Sequence, residues 1–99
     1  MAKIIRWNKK AIKQMDDLVD YSDQQRSFQA TQKFIRVVDS KIERLKSQPL
    51  IGRRVLTMKT VRFVLIDDKL RMYYRVYGTT VFITAFFDTR QDPSKRPYQ

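Results

Sequence analysis

At 99 residues the chain has room for one domain, 1–99, with a modest core in which each large apolar side chain counts. The absence of cysteine excludes disulfides and zinc–thiolate sites, and the absence of histidine removes the commonest general base and metal ligand. A net charge of +11, spread over both halves, favours a polyanion or an acidic protein as partner.

A hydrophobic fraction of 42% with only two glycines and three prolines is that of an ordinary globular chain. No run approaches the roughly 18 apolar residues of a membrane span, and the N-terminus has no signal-peptide pattern. The expectation is a cytoplasmic protein with no membrane contact, no metal and no cofactor.

Lys3 to Trp7 is a short apolar run that fits a strand, and Asn8 is placed to cap a following helix. Ile12, Met15, Leu18, Val19 and Ser22 then recur at helical spacing, with lysines and aspartates on the other face. Tyr21 to Ser27 is polar and interrupts the pattern. A second helix follows, with Ala30, Phe34, Val37, Val38, Ile42 and Leu45 on its stripe. Arg44 and Lys46 suit the negative end of its dipole, and Pro49 and Gly52 stop it.

After Gly52 the period becomes strand-like. Val61 to Ile66, Leu70 to Tyr77 and Val81 to Asp88 are three runs rich in β-branched and aromatic residues, separated by short hairpin connections. The sequence therefore predicts an α+β fold of order β-α-α-β-β-β, with a helix hairpin on one face of a mostly antiparallel sheet.

Alternation along the middle strand puts Leu70, Met72, Tyr74 and Val76 beneath the helices and Arg71, Tyr73, Arg75 and Tyr77 on the open face. Guanidinium groups pair with phosphate and aromatic rings stack on unpaired bases, so this stripe suits single-stranded RNA. The bland alternative is a solvated sheet face carrying cross-strand Arg/Tyr pairs. Lys59 and Arg62, with Arg53 and Arg54, lead a basic group into the first of the three strands. Arg90 is expected near Arg71, and a basic tail ending in Tyr98 follows. Asp88 and Asp92 read as arginine partners or turn formers rather than catalytic acids. There is no Gly-rich phosphate loop, and no serine has a histidine partner. An enzyme built from these residues would rely on phosphate-stabilising cations and a tyrosine acid or base.

The opening strand ending in Trp7, the two helices, Pro49-Leu50-Ile51-Gly52-Arg53, Lys69 to Val76 and Phe86 to Pro93 together resemble the RelE/ParE superfamily of type II toxins. The resemblance covers nearly the whole chain. It implies a small toxin held inactive by an acidic antitoxin, with one of two targets. RelE-like members cleave messenger RNA on the ribosome, and ParE-like members poison DNA gyrase without chemistry of their own. Under the first, slightly favoured reading, Arg71, Arg90 and Tyr98 match the catalytic residues. Lys59 or Arg62 supplies further cations, and Tyr73, Arg75 and Tyr77 extend the target-binding surface. A non-toxic nucleic-acid-binding relative is the third possibility.

Overall fold

Ile4–Trp7 forms the first strand, β1, in a computed structural model that describes residues 2–98. Asn8 then turns the chain. Its side chain accepts from the Ala11 N–H at 2.8 Å and opens helix α1, Lys9–Gln25. Ser27 does the same for α2, Phe28–Ser47, accepting from Ala30 N–H at 3.0 Å. A cap of this kind stabilises a helix by about 1 kcal/mol. The two helices form a hairpin in which the Thr31 hydroxyl donates to Ser22 Oγ at 2.8 Å, out of solvent.

The core face of α1 differs slightly from the sequence expectation. Ala11 is fully buried, whereas Ile12 is 48% exposed. The stripe Ala11, Met15 and Leu18 packs into the core against the sheet, and Ser22 continues it against α2; Ile12 lies about 100° round the helix from Ala11. Gln14, near the same stripe, accepts from the Phe86 N–H at 2.8 Å and so ties α1 to the sheet. On α2, Val38, Ile42 and Leu45 are buried as expected.

The rest of the chain is β: Arg53–Val55 (β2), Met58–Leu65 (β3), Leu70–Tyr77 (β4) and Thr80–Asp88 (β5), closed by a single 3-10 turn at Pro93–Lys95. The sheet order is β1-β5-β4-β3-β2. β1 runs parallel to β5 and every other pair is antiparallel. The order β-α-α-β-β-β therefore holds with one addition. β2 is a three-residue strand within the segment read from sequence only as a basic lead-in. It is too short to show a period of two.

Both faces of the sheet are covered, and not only the helical one. On the helix side Leu70, Met72, Tyr74, Val81, Ile83 and Phe86 pack against the two helices. On the other side Val55, Val61, Tyr73, Ala85 and Phe87 form a second small core, closed by Phe63 and Tyr98. Each such side chain stabilises the fold by about 1.5–3 kcal/mol when fully buried. The C-terminal tail folds back so that Tyr98 packs against this second core.

A bulge in β5 serves the same end. Tyr73 faces Ala85 and Tyr74 faces Ile83, which leaves Thr84 as the extra residue.

Candidate target-binding surface

The segment after α2 is held by Tyr74. Its hydroxyl donates to the Pro49 carbonyl at 2.8 Å and accepts from the Gly52 N–H at 2.9 Å. Burial raises the Tyr74 pKa above its usual value, partly offset by the Gly52 bond and the nearby Arg62 charge. Gly52 is required here by proximity. A Cβ at that position would lie 2.5 Å from the Tyr74 hydroxyl and 2.8 Å from the Phe63 carbonyl oxygen.

Arg62 completes this joint, donating to the Leu50 and Gly52 carbonyls at 3.2 and 2.9 Å. It pairs across the strands with Tyr74, so it shares the helix-side face. Arg62, expected to supply a further cation to the Arg71 surface, therefore lies on the other face. Lys59 is exposed and lines a shallow cleft with Leu50, Arg62 and Tyr74.

Arg71, Tyr73, Arg75 and Tyr77 do share the face opposite the helices, but they do not form an open stripe. Tyr73 is 1% exposed. Its ring lies between Phe63, at 5.6 Å, and Tyr98, at 5.2 Å between centroids. A ring enclosed in this way has no face left for a base, which corrects its expected role. This face carries no helix, but Phe63 and the tail residue Tyr98 cover it.

Arg71 lies over the Phe63 ring at 4.3 Å and donates to the Tyr73 hydroxyl at 3.3 Å. Its Nε is buried and makes no hydrogen bond among the described residues. Arg75 donates to the Tyr77 hydroxyl at 3.1 Å, and its guanidinium sits 5.8 Å from the Tyr98 ring centre. The Tyr77 hydrogen bond raises the Arg75 pKa further, so its charge is permanent. Tyr77 is 52% exposed and presents an edge to Phe82.

Tyr98 is fixed at the centre of this face. Its hydroxyl donates to Thr84 Oγ1 at 2.9 Å, which ties the ring to the bulge. Neither Thr84 nor Phe63 was singled out in the sequence. The adjacent apolar pair Phe86-Phe87, one residue to each face, was the available signal for a sheet covered on both sides.

Arg90 lies elsewhere. It clasps Asp88 with Nε–Oδ1 at 3.1 Å and Nη2–Oδ2 at 2.7 Å. Asp88 is the cross-strand neighbour of Leu70, on the helix side. Arg90 therefore lines a cleft of about 360 Å³ with Leu18, Tyr21, Arg26, Phe34 and Lys69. Its expected position near Arg71 is corrected. The pairing holds the Asp88 carboxyl below its usual range. Asp92 caps the 3-10 turn by accepting from the Ser94 N–H at 2.9 Å, which lowers its pKa too. Asp88 thus pairs with an arginine and Asp92 forms a turn.

Residues 5–93 match the family described as the ParE toxin of the type II toxin–antitoxin system, parDE. The chain belongs to the ParE toxin family. It is thus a type II toxin of the RelE/ParE superfamily. No match is found among curated protein sequences.

Solved structures share the toxin's fold at low identity. The chromosomal ParDE system from P. aeruginosa aligns with a TM-score of 0.73 at 17% identity, over 88% of this chain and 96% of that one. A YoeB/ParE toxin from Agrobacterium tumefaciens gives 0.64 at 14%, over 86% and 96%. The E. coli DinJ–YafQ toxin–antitoxin complex gives 0.64 at 8%, over 91% and 96%. Among the toxin's described residues no helix is long and apolar enough to cross a membrane. Nor does any cluster of acidic side chains there have the arrangement of a metal site.

Proposed function

We propose that this ParE-family toxin arrests growth by binding a protein target, DNA gyrase, and carries out no chemistry itself. The observation that supports this is the dispersal of the residues matched to catalysis. Arg71 and Tyr98 lie on one face, with the Tyr98 hydroxyl tied to Thr84, while Arg90 is clasped by Asp88 on the helix side. Phosphodiester cleavage needs a cation and an acid or base within hydrogen-bond reach of the same phosphate. Three groups distributed in this way suit a binding surface better than a catalytic centre.

An acidic antitoxin is the expected inhibitor. The net charge of +11 supplies electrostatic attraction, and two of the structural relatives are toxin–antitoxin systems. Messenger-RNA cleavage is the second reading. It is favoured by Arg71, whose buried Nε still has a hydrogen bond to give. Expressing the toxin without its partner and mapping RNA 5′ ends separates the two. The gyrase reading expects intact messages during growth arrest, and codon-positioned cuts would overturn it.

A further inference from the structure

Between Glu43 and Asp67 the chain carries Arg44, Lys46, Arg53, Arg54, Lys59 and Arg62 and no acidic residue. The fold gathers the last four of these cations on the β2–β3 hairpin. Among the described residues none of them reaches a carboxylate.

Arg54 and Arg62 are direct cross-strand partners on one face. Arg62 is partly satisfied by the Leu50 and Gly52 carbonyls, but like charges opposite each other still repel and favour an anion beside Arg54. Arg53 points to the opposite face, beside Phe63, so the ribbon is cationic on both sides.

At the turn Leu56 is 93% exposed and Met58 36%. Val55, next to the tip, is buried in the second core and anchors the hairpin. The result is a hairpin at the edge of the sheet, paired with β4 from Val61 to Leu65, with cations on both faces and a two-stranded tip that is apolar at its end.

We propose that the β2–β3 hairpin is a duplex-DNA arm. Arg53 and Arg54 contact the phosphates on the two walls of a groove, and Leu56 is the apolar wedge that meets the bases. The hairpin tip, two strands wide beyond the β3–β4 pairing that begins at Val61, fits a groove of B-form DNA, whereas the deep major groove of A-form RNA excludes side chains. Single-stranded RNA is held chiefly by stacking, and the tip has no aromatic residue to stack. Apolar side chains between or against base steps are a recurrent device of DNA-binding proteins. This goes beyond the gyrase reading and does not need it, because the DNA is bound without gyrase.

Fluorescence anisotropy of the full chain with a labelled duplex, and with single-stranded RNA of equal length, is the test. Replacing Arg53, Arg54 and Lys59 together by Gln should weaken duplex binding by about tenfold or more and reduce the salt slope by about 2–3. Leu56→Gln, at a site too exposed to matter for folding, should weaken it by about tenfold with the slope unchanged. Replacing Lys9, Lys10 and Lys13 on the exposed face of α1 should leave the slope as it is. Equal losses from the two triple variants would mean diffuse charge and would overturn the proposal. So would tighter binding to single-stranded RNA, an unaltered affinity in Leu56→Gln, or no measurable binding to the duplex.

Discussion

The Tyr98 hydroxyl donates to Thr84 Oγ1 at 2.9 Å, so the end of the tail is fastened to the bulged residue of β5. The Tyr98 ring then covers Tyr73, which would otherwise face solvent. The bond and the covering ring can be separated by mutation. Tyr98→Phe keeps the ring and should cost about 1 kcal/mol, the net value of one hydrogen bond. Tyr98→Ala uncovers the second core and should cost about 2 kcal/mol or more. Urea unfolding measures both, and equal losses would show that the ring does not seal that core.

The joint between α2 and β2 depends on one hydroxyl making two bonds. Tyr74→Phe leaves the Gly52 N–H and the Pro49 carbonyl without a partner in the interior. A loss of about 1–3 kcal/mol is expected. Gly52→Ala should cost at least as much, because its Cβ would meet the Tyr74 hydroxyl at 2.5 Å. Thermal unfolding of the two variants checks this. A Gly52→Ala protein as stable as the parent would contradict the packing described.

Alkaline pH probes the same residue. Burial raises the folded-state pKa of Tyr74 above the ordinary 10.0. Its contribution is therefore complete below pH 10.0 and is lost as pH rises through the folded value. Tyr74→Phe should lack this component, so the stability gap between parent and variant should narrow above pH 10.0. A gap that widens in alkali would reverse the sign of the assignment.

Acid acts on Asp88 in the opposite sense. Arg90 holds its carboxyl below the ordinary 3.8, so the contribution is present above that pH and is lost as pH falls through the folded value. Arg90→Gln should remove it, and parent and variant should converge in acid. Acid titrations followed by circular dichroism measure the convergence. A constant difference down to full unfolding would contradict the pairing.

Much of this architecture was legible in the sequence, because it rests on local patterns. Asn8 caps where its position indicated, and the α2 stripe, most of the α1 stripe and the β3–β4–β5 runs have the required periods. The candidate site was less legible for a physical reason. Alternation assigns Tyr73 to a face but does not say what lies over that face. A tail crossing from residue 93 onward leaves no periodic trace, and the bulge at Thr84 has no glycine to mark it. Arg90 depended on the course of the chain after β5, which its pairing with Asp88 directs to the helix side.

That separation has a functional consequence. Residues that act as one catalytic unit show strong coupling, whereas residues on different surfaces act independently. Arg71→Ala and Arg90→Ala should therefore have effects on growth arrest that multiply, with little coupling in the double variant. Loss of all activity in either single variant, with no further change in the double, would indicate one shared active centre.

The most direct measurement incubates purified toxin with DNA gyrase and supercoiled plasmid and follows plasmid topology and breakage. A gyrase poison without chemistry of its own predicts loss of supercoiling activity and gyrase-linked DNA breaks that rise with toxin concentration. Unchanged gyrase activity, at toxin levels that arrest growth and alongside cut messenger RNA, would contradict it.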